Sequence, residues 1–179
     1  MIMDILLFSL IILHFLYREY LLLKYKSSKS RSKWKIFDSI VFFVIPLLQL
    51  YSPNIGRLDF LTNPTLKIIG LILFILGFIY SIWGKYTLST LWVTGWEYKI
   101  NDNHRIIVQG PYKYFTHPIY IGLILMCIGL ELYLANILLF ICLFIITPLF
   151  HIQAKKEEKL LIEHFGEEYI RFKNSRLIL

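Results

Sequence analysis

Hydrophobic residues in this chain are concentrated in five long blocks, and polar and charged residues collect in the gaps between them. An α-helix needs about 20 mostly apolar residues to cross the roughly 30 Å of bilayer hydrocarbon. Four blocks approach that length, whereas the second is shorter and contains Asp38 and Pro46. The pattern predicts five transmembrane helices, over residues 2–23, 36–51, 66–84, 118–135 and 137–153.

Composition supports the same interpretation. The 179 residues are 57% hydrophobic, with a mean hydropathy of +0.61, which is high for a soluble domain of this size. The first block lacks a basic leader and a small-residue cleavage site, so we expect it to be retained as a membrane helix. Residues 1–179 are predicted to form one membrane domain, in which 1–83 supply three spans and 84–179 contain spans four and five together with the candidate functional residues.

The short turn between the last two blocks and the tail that follows them complete the predicted architecture. Only Asn136 separates the last two blocks, so they should form an antiparallel helical hairpin. Residues 154–179 have the spacing of an amphipathic helix, and Gly166 is a natural helix stop. We therefore expect an all-α integral membrane protein with five transmembrane helices and a cytoplasmic C-terminal amphipathic helix.

The net charge of +7 is placed where lipid headgroups would meet it. Most of the 19 lysine and arginine residues fall in the 24–35 linker, the 85–117 segment and the tail. Basic loops lie on the cytoplasmic side of membrane proteins, so these three segments are predicted to share that side. Charge in the gaps between apolar blocks argues against a nucleic-acid partner.

Glycines recur at seven-residue intervals in the third block, at Gly70, Gly77 and Gly84, and again at Gly122 and Gly129. Such a repeat stays nearly on one helix face. Small residues on one face let helix backbones approach in lipid, where hydrophobicity cannot drive association. The repeat predicts a packing seam with no chemical role.

Candidate chemistry is concentrated in the stretch HRIIVQGPYKYFTHPIYIG, residues 104–122. It breaks at Gly110-Pro111 and then begins an apolar helix, with His117 at the predicted N-cap and Pro118 at the favoured first position. The unpaired amides of a helix start accept a carboxylate or phosphate readily. The simpler alternative is a loop that only leads into a membrane helix.

A second polar group follows the last apolar block, at Gln153, Glu157 and Glu158. Adjacent residues on a helix point about 100° apart, so one glutamate can face a pocket while its neighbour faces water or lysine. Taken alone, the pair is typical of a solvated helix face. Both cysteines lie inside apolar blocks, so neither a disulfide nor a metal site is expected.

The two groups together resemble the isoprenylcysteine carboxyl methyltransferase family, through HRIIVQGPYKYFTHPIYIG and then EEKLLIEHFGEEY. The resemblance covers roughly residues 84–179, and the first three spans match only in kind. The family consists of integral membrane enzymes that use S-adenosyl-L-methionine and are related to the phospholipid N-methyltransferases. The chain has no glycine-rich dinucleotide fingerprint, so the cofactor would not be held as in soluble methyltransferases.

The resemblance also implies site residues. It makes His117 and Glu157 the catalytic candidates and Gln153 the substrate-binding candidate. The implied cofactor-binding residues are Glu97, His104, Arg105, Ile106, Ile107, Tyr112, His117, Pro118, Ile119, Tyr120 and Glu157. The ammonium of the cofactor suits a glutamate, its carboxylate suits a helix start, and its adenine suits aromatic or apolar walls.

Two positions depart from the family pattern. Thr116 stands where the family commonly has an arginine, and Gln153 stands where an arginine meets the substrate carboxylate. An uncharged amide lacks the bidentate, charge-assisted contact that an arginine makes with a carboxylate. The departures bear on the acceptor and leave the methyl-transfer class unchanged.

Four functions remain to be distinguished. The first is S-adenosylmethionine-dependent O-methylation of a carboxyl group on a prenylated cysteine or similar lipophilic acceptor, for which no base is obligatory. The second is N-methylation of a phospholipid amine, in which Glu157, Glu158 or His117 would accept a proton. The third is a nicotinamide-dependent membrane reductase with a similar C-terminal pattern, and the fourth is a non-catalytic membrane scaffold.

Overall fold

The computed structural model describes residues 2–24, 36, 39–88, 91 and 105–177. Seven α-helices are found there: α1 Ile2–Lys24, α2 Ile45–Tyr51, α3 Pro64–Leu88, α4 Pro118–Leu134, α5 Leu138–Ile141, α6 Thr147–Phe165 and α7 Glu167–Asn174. Short 3₁₀ turns cover Asp59–Leu61 and Gly110–Lys113. The described part contains no strand, so the all-α prediction is confirmed.

Two π-helical turns, Ile40–Val44 and Cys142–Ile146, run directly into α2 and α6. Each lies just before a proline near the start of the following helix, Pro46 or Pro148. A proline has no amide hydrogen and its ring crowds the carbonyl four residues earlier, so widening the preceding turn relieves the clash. The second π turn joins α5 to α6, which makes Leu138–Phe165 one continuous helix of 28 residues.

Helices α3 and α4 form the closest pair, and glycines make their approach possible. A Cβ atom on Gly129 would lie 2.4 Å from the Phe74 amide nitrogen, and one on Gly77 would lie 2.5 Å from the Gly122 carbonyl oxygen. No larger side chain fits against backbone at such distances. The predicted glycine seam is therefore confirmed.

The hydrophobic core lies where α1 meets this pair, around Leu7, Ile11, Phe74, Met126 and Leu130. Buried polar contacts add to it on the side nearer Lys24. There, His14 Nε2 lies 2.9 Å from both the Ser81 hydroxyl and the Lys85 ammonium, which ties α1 to α3.

The connection from α4 to α5 is as tight as the sequence predicts. Ala135 adopts the left-handed conformation, with φ of 53°, and ends α4. The Asn136 side chain accepts a hydrogen bond from the Leu138 amide at 3.0 Å and donates one to the Ile55 carbonyl at 2.7 Å. Asn136 thus starts the last long helix, Leu138–Phe165, and fixes the loop that follows α2.

Two helices among the described residues are long and apolar enough to cross a membrane, Pro64–Leu88 and Leu138–Phe165. Two further apolar helices, Ile40–Tyr51 and Pro118–Leu134, are shorter. Gly166, with φ of 56°, ends the long helix where the sequence places a stop, and α7 follows at once. The number of five spans stays a prediction.

Candidate active site

Helix α4 begins where the sequence predicts, with His117 at the N-cap and Pro118 within the first turn. The backbone of His117 is extended (φ −129°, ψ 61°), and its side chain does not cap its own helix. The imidazole is instead buried, with 7% of the residue exposed. It is therefore available to groups on other helices.

Helix α6 brings its glutamates to this imidazole. His117 Nδ1 lies 3.7 Å from Glu157 Oε2, and His117 Nε2 lies 3.5 Å from Glu158 Oε1. The ring of Tyr120, one turn further along α4, stacks on that of His117 with centroids 5.6 Å apart. The Tyr120 hydroxyl donates a hydrogen bond to Glu157 Oε1. Residues distant in sequence thus meet at one junction of α4 and α6.

Gln153 belongs to the same junction. Its side-chain amide lies 3.5 Å from Glu157 Oε1, at the limit of a hydrogen bond, and the residue is buried. The name His117 cluster is used below for His117, Tyr120, Gln153, Glu157 and Glu158. The predicted catalytic and substrate-binding residues are all members of it.

Both glutamates are buried at this junction, and the expectation that the second would face water or lysine is met by lysine. Only 7% of Glu157 and 2% of Glu158 is exposed. Glu158 does face lysine, because Lys173 of α7 lies 2.7 Å from its Oε2 atom, whereas Lys155 lies 3.4 Å away. A buried carboxylate is stable only with such partners.

The different surroundings of the two glutamates give their carboxyl groups different pKa values. Burial raises the pKa of Glu157 to about 7, and the nearby His117 and the Tyr120 hydrogen bond only partly oppose this effect. Burial also acts to raise the pKa of Glu158, but His117 and Lys173 outweigh it and lower that pKa to about 2. Glu158 is therefore a fixed anion at neutral pH, whereas Glu157 can gain or lose a proton.

Helix α7 contributes residues that the sequence interpretation missed. Tyr169 is buried, and burial together with the carboxylates of Glu158 and Glu157 raises the pKa of its phenol. Lys173 pairs with Glu158, and Arg176 stacks over Phe172 with its guanidinium 4.1 Å from the ring centroid. Positions 169, 172 and 173 share one face of α7, and Arg176 lies just beyond its end. The spacing predicts a buried helix face but does not identify its partners in the His117 cluster.

The segment after α7 also holds the turn that precedes α4. Arg176 Nε donates to the Tyr112 carbonyl at 2.9 Å. Leu177 pairs with this turn through its backbone, donating to the Tyr114 carbonyl at 2.9 Å and accepting from the Thr116 amide at 3.2 Å. The buried Tyr112, on the Gly110–Lys113 turn, is thereby fixed beside the start of α4.

The remaining predicted site residues are not members of the His117 cluster. Arg105 is exposed, and Ile106 and Ile107 are half-buried on the extended stretch before the turn. Ile119 packs with Leu21 in a separate apolar cluster. Glu97 and His104 lie outside the described residues. A role for these six residues in cofactor binding stays a prediction.

The His117 cluster has unused hydrogen-bonding capacity. Among the described residues, the buried atoms His117 Nε2 and Glu158 Oε1 face each other at 3.5 Å, and neither makes a well-formed hydrogen bond. Leaving such atoms unpaired costs about 1–3 kcal/mol each, which a ligand with matching groups would recover. A fixed anion at Glu158 and a titratable Glu157 beside a helix start fit a small ligand that carries both an ammonium and a carboxylate.

Comparison with known proteins assigns the chain to a family. Residues 66–168 match the family model of phospholipid methyltransferases, which covers α3 through α6 and the whole His117 cluster. The chain is 30% identical over 158 residues to the protein-S-isoprenylcysteine O-methyltransferase of Saccharomyces cerevisiae, over 87% of this chain and 64% of the yeast protein.

Two further relatives carry the same name. The human protein is 26% identical over 165 residues, covering 89% of this chain and 58% of its own length, and the Xenopus laevis protein is 28% identical over 109 residues, covering 60% and 38%. The chain thus spans less than two thirds of the length of the curated relatives it matches. It belongs to the phospholipid methyltransferase family, and its resemblance to the isoprenylcysteine carboxyl methyltransferases is confirmed.

Proposed function

We propose that the chain is an S-adenosyl-L-methionine-dependent integral membrane methyltransferase that methylates a carboxyl group on a prenylated cysteine or similar lipophilic acceptor. The observation that carries this proposal is the burial of His117, Tyr120 and Glu157 together where α4 begins. The names of the yeast and human relatives support the same acceptor class.

The residues present fit the methyl donor. Glu157 would receive its ammonium, the first turn of α4 would receive its carboxylate, and Tyr112 and Tyr120 offer flat walls for its adenine. When bound, the cofactor supplies an activated methyl group. Both tyrosines are largely buried, so the chain keeps water away from that wall.

The work of the protein residues is mainly positioning. Tyr120 holds Glu157 through its hydroxyl and His117 through ring stacking, so both side chains keep one orientation. A carboxylate acceptor is already a nucleophile at neutral pH and needs no base. Holding two reacting groups in line can contribute about 7–11 kcal/mol to catalysis, which makes orientation the principal effect.

The membrane arrangement is part of the proposal. Five spans place the 24–35 linker, the 85–117 segment and the tail on the cytoplasmic side, together with the His117 cluster. The methyl donor would enter from that side, and the apolar part of the acceptor would enter sideways from the bilayer. The charges of Lys155, Lys156 and Lys159, just beyond the apolar part of the last long helix, support this orientation.

The direct test uses purified protein, labelled methyl donor and a prenylcysteine analogue. Label in a base-labile ester is the expected result. Glu157→Gln and His117→Ala should each weaken binding of the donor at least tenfold while the protein stays folded, because each loses a buried polar partner. Unchanged affinity in both variants would refute the site, and absence of ester label would refute the acceptor.

A second candidate is N-methylation of a phospholipid amine. Gln153 supplies no charge for an acceptor carboxylate, and a carboxyl with a pKa near 7 at Glu157 can accept the proton that an amine must lose. Label that resists base and travels with lipid headgroups would favour this candidate over the first.

Gln153→Arg tests the acceptor from the other direction. An arginine there would add a charge-assisted contact with an acceptor carboxylate, and we expect kcat/KM for the prenylcysteine analogue to rise about tenfold. Gln153→Met is the control, since it keeps the length of the side chain without the charge. Equal activity of the two variants would argue that residue 153 does not contact the acceptor.

A further inference from the structure

Residues from both π-helical turns line one cavity between the helices. Val41 and Phe42 come from the first turn, and Cys142 and Ile146 come from the second. π-helical turns are rare and are frequently found at functional sites. Proline explains why each turn can form, but it does not require both turns to face the same space.

The cavity is small and mostly apolar. Its volume is about 160 Å³, close to that of an engineered protein cavity of about 150 Å³ that stays dry and binds benzene. One six-membered ring therefore fits. Both cysteines of the chain, Cys127 and Cys142, line it.

One wall of the cavity carries an acid. Glu131 is 4% exposed and accepts a hydrogen bond from the Gln49 side-chain amide at 2.7 Å. Its carboxyl group has room for several hydrogen bonds, and Gln49 Oε1 has no partner among the described residues. An ionisable group within a membrane helix is costly, and such groups usually mark a functional site. A purely apolar void would need no glutamate.

This cavity is separate from the His117 cluster. Tyr120 and Glu131 lie on the same helix, at a spacing of roughly 16 Å by the rise of 1.5 Å per residue. Phe42 and Ile146 pack against Tyr120 and Phe150 and so fill the space between the two places. A ring-sized ligand at Glu131 would not reach the methyl-transfer site.

We infer that this cavity is a second binding site, for a ring-sized apolar molecule that carries a hydroxyl group. This hydroxyl would donate a hydrogen bond to the carboxyl group of Glu131. The apolar wall holds the ring, and the carboxyl group selects the hydroxyl. A hydroxyl is favoured over an ammonium because it costs less to remove from water.

Alkylation of the two cysteines provides a direct readout, since both line the cavity. Detergent-solubilised protein is treated with N-ethylmaleimide in the presence of benzyl alcohol or its isomer anisole, at equal concentrations in the detergent phase. The two molecules have the same molecular formula, but only the alcohol can donate a hydrogen bond. We expect half-protection of the thiols at a concentration of benzyl alcohol about tenfold lower than of anisole.

Variants separate this role from simple helix contact. Glu131→Met combined with Gln49→Met removes the polar pair while keeping the volume, and should abolish the preference for the alcohol; Asp59→Asn, an exposed acid outside the cavity, should preserve it. The wild-type comparison stands even if the double variant fails to fold. Equal protection by both isomers, no protection by either, or a preference that survives in the folded double variant would each overturn the inference.

Discussion

Glu157 and Glu158 are neighbours in the sequence, yet their carboxyl pKa values lie on opposite sides of the ordinary value of 4.5. Burial dominates at Glu157, whereas the lysine of α7 and the imidazole of His117 dominate at Glu158. At residue scale, this difference assigns the fixed charge to one glutamate and the titratable charge to the other.

Binding of the methyl donor should therefore depend on pH through Glu157. Its pKa is about 7, so the fraction of Glu157 present as the carboxylate rises about fivefold between pH 6 and pH 7. Only this form would hold the ammonium. Affinity should rise by that factor and then fall above about pH 8, where an α-amino group loses its proton. Calorimetric titration across this range provides the measurement.

Glu157→Gln should remove the acidic limb of that profile. Glu163→Gln, on an exposed position of the same helix, should leave it unchanged. A wild-type profile that stays flat between pH 6 and pH 7 would exclude Glu157 as the ammonium ligand.

Removal of the Lys173 charge should destabilise the protein more than removal of the Lys155 charge. Lys173→Met leaves the buried Glu158 carboxylate without its 2.7 Å partner, at an expected cost of about 1–3 kcal/mol at pH 7. Lys155 is farther away and about half exposed, so Lys155→Met should cost less than about 1 kcal/mol. Thermal unfolding in detergent compares the two variants.

The acid dependence of Lys173→Met checks the cause. The native pKa of Glu158, about 2, lies below its ordinary value, so the wild-type pair stabilises the fold above about pH 4.5 and loses that contribution as pH falls toward 2. Lys173→Met should reduce this loss. A variant that loses stability over the same range as strongly as the wild type would contradict the assignment.

Residue-scale prediction from sequence succeeded where the local pattern was sufficient. Proline after His117 marks a helix start, and a polar residue such as Glu157 directly after an apolar block stands out without a structure. The partners Lys173 and Arg176 were missed because their role depends on a return of the chain after Gly166, which local spacing does not specify.

At the scale of elements, replacing a glycine of the seam between α3 and α4 by alanine should destabilise the protein by different amounts at different positions. Gly129→Ala would place a carbon 2.4 Å from a backbone nitrogen of α3, whereas Gly84→Ala would meet the Ile119 side chain at 2.7 Å. A side chain can move more readily than a helix backbone. We expect Gly129→Ala to cost about 1–3 kcal/mol and Gly84→Ala to cost less.

The unfolding temperature of each variant in the same detergent measures this difference. If Gly129→Ala proved as stable as the wild type, or more stable than Gly84→Ala, the two helices could not be in backbone contact at Phe74.

Element boundaries show the limits of the hydrophobic pattern. The blocks predicted where apolar helices lie, and the spacing after Gln153 predicted a helix that ends at Gly166, but the pattern did not show that the two form one continuous helix, Leu138–Phe165. Backbone hydrogen bonding carries a helix past the end of its apolar side chains, until Gly166 stops it. The π turns before Pro46 and Pro148 were not predicted, since a proline near a helix start does not by itself specify how the preceding turn adjusts.

At the scale of the whole molecule, the proposed orientation predicts which surfaces water-soluble reagents can reach. Asp59 lies on the loop between α2 and α3, and Glu163 lies on α6 near Gly166. In intact cells, a membrane-impermeant thiol reagent should label Asp59→Cys, and it should label Glu163→Cys only after lysis. The reverse pattern, or labelling of both in intact cells, would invalidate the cytoplasmic placement of the His117 cluster.

The backbone pairing of Leu177 with Tyr114 and Thr116 has a consequence for biosynthesis. A ribosome makes the membrane-crossing helices first and the stretch that fastens the turn before α4 only afterwards. The nascent helices can therefore enter the bilayer before the turn that precedes α4 is fixed by the tail. We expect a message that stops just after Gly166 to yield an inserted protein that lacks α7 and the proposed methyl transfer.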